Sequence, residues 1–224
     1  MRGLNMSKSL KRYFFSFEGI DGCGKDTQLN ALVGYLRDDD SLIGNKYANV
    51  WTSREPTKDT VSGTEIANLI RQRDVSKEEA SEYFIKDRIE HSVRIRDLLT
   101  DSFVLLSRFD LSTFAYQMAQ GMNFDHLYDL HRYSDVDGTL IPDLTIVFDL
   151  PVDVATKRLS SRDGIKECFE TSDFQRVVFE KQKEAIDLLY KKDGRKIIVV
   201  NANQSIEAVT REMISKIEGV FVKS

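Results

Sequence analysis

The chain has little cysteine: Cys23 and Cys168 are the two in 224 residues. That is too few for a disulfide framework at this length, and neither lies in a metal-ligand cluster, so the composition fits a reducing cytoplasm. Long apolar runs are also missing. No stretch approaches the roughly 20 residues that span a membrane, and the basic opening MRGLNMSKSLKRYFF lacks the apolar run of about 7 to 15 that a signal peptide needs. Neither sign of charge dominates. With 32 Lys and Arg against 36 Asp and Glu the net charge is -4, which excludes the broad basic field that gathers nucleic acid. Any anion site must therefore be local. Glycine and proline form no linker, and no repeat or low-complexity tract divides the chain, so residues 1–224 read as one domain with 1–11 as a flexible N-terminus.

What is present is alternation. Apolar, β-branched and aromatic runs at 13–17, 48–52, 103–106, 144–150 and 196–200 predict five strands. Between and after them, 28–36, 77–99, 152–159, 174–190 and 206–217 carry helical spacing. The order predicts an α/β fold built on a buried parallel sheet. Residues 57–63 and 160–172 have the weakest patterning and read as mobile loops. In such sheets ligands bind beyond the carboxyl ends of the strands. GIDGCGK (19–25), SREP (53–56), SRFD (107–110) and DLP (149–151) each follow one of the first four runs and fall there.

The segment GIDGCGKDT nearly matches the phosphate-binding pattern G-x-x-x-x-G-K-[ST], in which backbone N–H groups surround phosphates, lysine reaches the terminal ones and the hydroxyl ligates Mg²⁺. Gly19, Gly24 and Lys25 fit, with Gly22 as a third glycine. Such a match alone is weak, since a Gly-rich turn with an exposed lysine looks the same. The strand before it and the amphipathic run after it make it specific. Asp26 stands where the hydroxyl belongs.

The wording FEGIDGCGKDTQ resembles the thymidylate kinase form of this loop. From about residue 13 to 201 the same family's motifs recur in order: SREP, FIKDRIEH (84–91), SRFDLSTFAYQ (107–117) and PDLTIVFDLPVDVA (142–155). The resemblance implies a P-loop nucleoside monophosphate kinase fold of three layers, transfer of the γ-phosphoryl of ATP to dTMP with Mg²⁺, and a homodimer formed through helices flanking the site. It assigns ATP to Gly19, Asp21, Gly22, Cys23, Gly24, Lys25, Asp26 and Thr27. Lys25 would contact the β and γ phosphates, Asp21 the 3'-hydroxyl region of dTMP, and Arg54 and Arg108 the acceptor phosphate, to which a guanidinium offers a matching fork. Phe84, Arg88 and His91 recur at i, i+4 and i+7 on one helix face. By resemblance Phe84 stacks on thymine, Arg88 and Thr113 contact the base, and Tyr116 packs on the deoxyribose and disfavours a 2'-hydroxyl. Without the resemblance, Phe84 and Tyr116 read as core aromatics.

Gly22 leaves the loop without the arginine that some members carry there, so the implied catalytic arginine falls in a lid at about 157–172. Arg158 and Arg162 are its candidates, with Lys166 beyond. Cys168 replaces an arginine common in relatives. Asp26 and Ser107 invert the family's hydroxyl and acid, and both are assigned to the metal. An extra carboxylate about 4 Å from a phosphate charge repels it by roughly 1 kcal/mol in water and about 4 at an effective dielectric near 20, but Mg²⁺ between them reverses the sign. Three readings stand at this point: an active dTMP kinase with a compensated exchange, a nucleoside monophosphate kinase of altered base preference, or a silent nucleotide-binding homologue.

Overall fold

In a computed structural model of the chain, residues 11–72, 75–133, 138–160 and 172–222 are described. The elements run β1 (Phe14–Glu18), α1 (Lys25–Leu36), β2 (Asn49–Arg54), α2 (Val61–Gln72), α3 (Lys77–Leu98), β3 (Ser102–Ser107) and α4 (Asp110–Ala119), then α5 (Phe124–Tyr133), β4 (Leu144–Asp149), α6 (Val152–Ser160), α7 (Ser172–Asp193), β5 (Ile197–Asn201) and α8 (Ile206–Phe221). The five strands form one parallel sheet in the order β2-β3-β1-β4-β5. Each expected strand is found within two residues of its predicted ends. β1 and β3 are buried at every position and β4 at all but its last, the burial that continuous apolar strands require when both sheet faces are covered.

Helices form a layer on each face. Phe15 and Phe17 of β1 join Leu32, Leu36, Met213 and Ile217 of α1 and α8. Phe14, Val104 and Leu106 point the other way, towards Ile95 of α3 and Phe109. On that second side Leu111, Phe114, Leu127 and Leu189 tie α4, α5 and α7 together over Val147. Burying such a side chain contributes about 1.5–3 kcal/mol, so these faces fix the layer order. Among the described residues no helix is long and apolar enough to cross a membrane.

Residues 57–63 are not a loose loop. The Thr57 N–H is bonded to Asp87 Oδ2 (2.9 Å), the Thr60 hydroxyl to Asp87 Oδ1 (2.5 Å), and α2 begins at Val61. The sequence VSGTEIANLIRQ has the weak helix formers Ser, Gly, Thr and Asn among its first eight residues. Ile66 and Ile70 packed on Ala80 of α3 supply what local propensity lacks.

Candidate active site

The loop after β1 has the backbone that its glycines predict. Gly19 sits at φ 145°, and a Cβ there would stand 2.9 Å from the Phe148 carbonyl oxygen, so a side chain is excluded. Gly24, at φ 91°, turns the chain into α1, and no side chain caps that helix. A helix start of this kind presents N–H groups and positive dipole to an anion. Lys25 is the first helical residue, 6% exposed, with Nζ 3.7 Å from Asp21 Oδ1. Cys23 is buried under the loop, and Asp26 and Thr27 are exposed on α1.

Asp21 gathers the cations. Arg108 donates through one terminal nitrogen to Asp21 Oδ1 and, at 3.3 Å, to the Tyr116 hydroxyl; its other terminal nitrogen bonds Ser112 Oγ at 3.0 Å. Tyr116 donates to Asp21 Oδ2 at 3.0 Å, and Gln175 of α7 donates to the Tyr116 oxygen at 3.3 Å. Burial alone would raise the Asp21 carboxyl, but Arg108 and Lys25 outweigh it and hold the group ionised, well below the usual carboxylate range. Arg108 reaches this position from a left-handed backbone, φ 67°, a conformation that costs a non-glycine residue roughly 1–3 kcal/mol and clusters at functional sites. Glu18 supports the turn: its carboxyl accepts from the Phe109 N–H (2.7 Å) and the Ser112 hydroxyl (2.6 Å). Burial pushes that carboxyl up to about 7.

The exchanged pair is in contact. Ser107, the last residue of β3 and 4% exposed, donates its hydroxyl to Asp26 Oδ1. Both border a groove of about 360 Å³ lined also by Arg54, Thr57, Lys58 and Asp59, with Arg54 exposed at the end of β2. Among the described residues no three His, Cys, Asp or Glu side chains converge as a metal cage. Mg²⁺ is ordinarily bound by one or two carboxylates together with substrate phosphates and water, so an exposed carboxylate braced on one oxygen fits that ion. Here it is Asp26, not Ser107, that offers the charged oxygen.

A second, buried cluster lies on α3. Arg88, 1% exposed, donates from Nε (2.9 Å) and one terminal nitrogen (2.6 Å) to Glu55 Oε2. That terminal nitrogen also bonds Thr113 Oγ1 at 3.0 Å, and the other lies 2.8 Å from His131 Nε2. Arg88 and Thr113, expected to share a base, do meet. His91, also expected on this face, stands 3.2 Å from Glu55 Oε1. Phe84 is half-buried against the Ile66–Ile70–Ala80 cluster of α2 and α3. Burial, with Glu55 nearby, raises Asp87 to about 6.

Of the lid arginines, Arg158 bridges two carbonyls, Gly22 O at 3.5 Å and Ala202 O at 3.2 Å, joining the phosphate loop to the turn after β5. Arg162, Lys166 and Cys168 lie outside the described residues. Composition and spacing missed Glu18, Glu55, Asp87, His131 and Gln175. Glu55 and Asp87 sit inside quoted motifs, each next to a predicted arginine, and an acid beside an arginine was a usable signal. His131 and Gln175 reach the site from α5 and α7 and carried no signal.

Comparison with known proteins places these residues in a lineage. A sequence profile described as Thymidylate kinase matches residues 17–213. A protein of Methanococcus aeolicus named "Probable thymidylate kinase" is 30% identical over 205 residues, covering 91% of this chain and 95% of the relative. One of Methanococcus maripaludis with the same name is 31% identical over 91% of this chain and 94% of its own length. A "Thymidylate kinase" of Desulfotalea psychrophila is 32% identical over 90% of this chain and 92% of its own length. The matched span contains the phosphate loop, both exchanged positions and the Arg88 cluster, and the chain belongs to the thymidylate kinase family of ATP-dependent nucleoside monophosphate kinases.

Proposed function

We propose that this chain transfers the γ-phosphoryl group of ATP to dTMP, giving dTDP and ADP, and that it does so with Asp26 and Ser107 in exchanged roles at the metal. The observation that carries the reading is the convergence of Lys25 and Arg108 on Asp21, next to the Asp26–Ser107 contact. In the reaction an oxygen of the acceptor phosphate bonds to Pγ while the bond from Pγ to the β,γ-bridging oxygen breaks and ADP leaves with that electron pair. The acceptor is already an anion, so no strong base is required, and positioning with charge neutralisation does most of the catalysis.

Lys25 and the N–H groups at the start of α1 take the donor's β and γ phosphates. Arg54 and Arg108 take the acceptor phosphate, and Asp21, once exchanged from Arg108, addresses the 3'-hydroxyl. Tyr116, fixed by Asp21 and Gln175, closes the side on which a ribose would place its 2'-hydroxyl. Asp26 and Ser107 would hold Mg²⁺, which supplies charge neutralisation at the phosphate oxygens when bound. Arg162 would enter with a lid at about 157–172, and Arg158, hydrogen-bonded to Gly22 O, would tie that lid to the loop.

Arg88 makes four bonds with its five N–H groups, leaving one for an acceptor on the base edge, which matches the 4-carbonyl of thymine better than the amino group of cytosine. We further propose a cytoplasmic homodimer, with α2 and α3 in its interface, where Val61 and Val93 are exposed. Steady-state kinetics with dTMP, dUMP, dCMP, dGMP and AMP across a Mg²⁺ series test the reading. The highest kcat/KM is expected for dTMP, and a purine monophosphate preferred over dTMP would overturn it.

A further inference from the structure

We propose that His131 is a positioning residue for Arg88 and thereby helps set which pyrimidine the acceptor pocket takes; this rests on the reading of Arg88 as a base contact. His131 lies on α5, which carries none of the strand-end motifs. Its ring is 2% exposed and stacks on Phe114, with centroids 4.7 Å apart and planes 20° from parallel. The two ring nitrogens have different partners. Nδ1 is 2.6 Å from the Leu127 carbonyl oxygen, one helical turn earlier, and Nε2 is 2.8 Å from a terminal nitrogen of Arg88.

A carbonyl only accepts and a guanidinium only donates, so the proton must sit on Nδ1 and the lone pair on Nε2. The backbone of α5 thus selects the tautomer that can receive Arg88. Protonation would destroy that acceptor, and burial together with the Arg88 charge pushes His131 down to about 3, which keeps the ring neutral at working pH.

The count of Arg88 donors gives the consequence. Nε and one terminal nitrogen are used up on Glu55 and Thr113, so the remaining N–H belongs to the nitrogen that His131 holds. His131 therefore occupies one of the two N–H groups on that nitrogen and, together with Glu55 and Thr113, sets the tilt of the planar fork that aims the single donor left for a base. A site built to donate at one point rejects an analogue that presents a donor there, because two donors then face each other. Without His131, the planar guanidinium can tilt as a whole about its bonds to Glu55 and Thr113, and the distinction between a keto and an amino pyrimidine weakens.

The test uses His131→Leu and His131→Gln in the full chain. For His131→Leu the KM for dTMP should rise about tenfold and the preference for dTMP over dCMP in kcat/KM should fall about tenfold. The kcat with dTMP and the KM for ATP should stay within about threefold. His131→Gln, which can still accept, should recover part of the preference. A folded His131→Leu protein with unchanged dTMP KM and unchanged dTMP over dCMP preference would overturn the proposal.

A second readout needs neither a folded Leu variant nor turnover: ¹⁵N NMR of the histidine rings. The expected spectrum has a His131 Nδ1–H tautomer whose Nε2 signal shifts in Arg88→Lys, and an Nε2–H tautomer would refute the bond. Absence of dTMP turnover in the unaltered chain would sink the base reading separately, with the NMR result still deciding the His131–Arg88 contact.

Discussion

At the scale of single residues the molecule turns on an acid and a hydroxyl that touch. Asp26 and Ser107, 81 positions apart in sequence, are hydrogen-bonded at the ends of the loop and of β3. If they act as one unit, single substitutions should not add. Asp26→Thr and Ser107→Asp are each expected to weaken Mg²⁺-dependent ATP binding about tenfold, and the double variant to recover most of the loss, by titration calorimetry with and without Mg²⁺. Additive losses would separate the two sites. The exchange was legible in the sequence because both positions lie in recognisable motifs; the contact between them was not, since pairing across two strands is a property of register, β1 beside β3. Arg88 shows a different limit. Its helix face could be read from the spacing, but its partners Glu55 and His131 come from the residue just past β2 and from α5, and no local pattern relates them.

At the scale of elements, the strands were easy and α2 was hard. β1, β3 and β4 are covered on both faces and so are written as unbroken apolar runs. α2 depends on α3 rather than on its own propensities; its first three residues fall in the segment that reads as a loop, and the rest lies outside the helices predicted from spacing. Asp87 is the residue that converts that loop into part of the site: it receives the Thr57 N–H and the Thr60 hydroxyl, and Gly63 is packed so closely that a Cβ would lie 2.5 Å from Asp87 Oδ1. In Asp87→Ala these bonds are lost and Thr57 loses its buried acceptor. Amide exchange across 57–63 is then expected to accelerate at least tenfold, while exchange in β1 and β3 stays unchanged; equal acceleration in all three would mean global destabilisation instead. Removing an acceptor from a buried donor costs about 1–3 kcal/mol, enough for an effect of that size.

For the whole molecule, the distribution of buried charge sets the response to pH. Glu18 has a folded pKa of about 7 against an ordinary 4.5, and Asp87 about 6 against 3.8, both raised by burial. The folded state therefore holds their protons longer than the unfolded chain does. The stability they contribute is complete below about pH 4 and is lost as pH rises through 6 and 7. His131 has the opposite sense: lowered from 6.5 to about 3, its contribution is complete above 6.5 and is lost as pH falls towards 3. Asp21 and Asp110, also held low, add to the acid limb.

Glu18→Gln, which resembles the protonated carboxyl, separates the two limbs. Relative to the unaltered chain its stability should improve between pH 5 and 7, by up to about 1.4 kcal/mol per pH unit for one proton, as read by urea unfolding. A constant difference across that range would show that Glu18 titrates normally. None of this was legible in composition, because the net charge of -4 says nothing about which carboxylates the fold buries.

The most direct measurement is ³¹P NMR of ATP and dTMP incubated with the chain and Mg²⁺. The expected result is loss of the ATP γ signal with equal appearance of ADP and dTDP β signals, and no dTDP without Mg²⁺. An unchanged ATP spectrum with dTMP and with every other monophosphate, from protein shown to be folded, would contradict the assignment of Lys25, Arg108 and the Asp26–Ser107 pair to phosphoryl transfer.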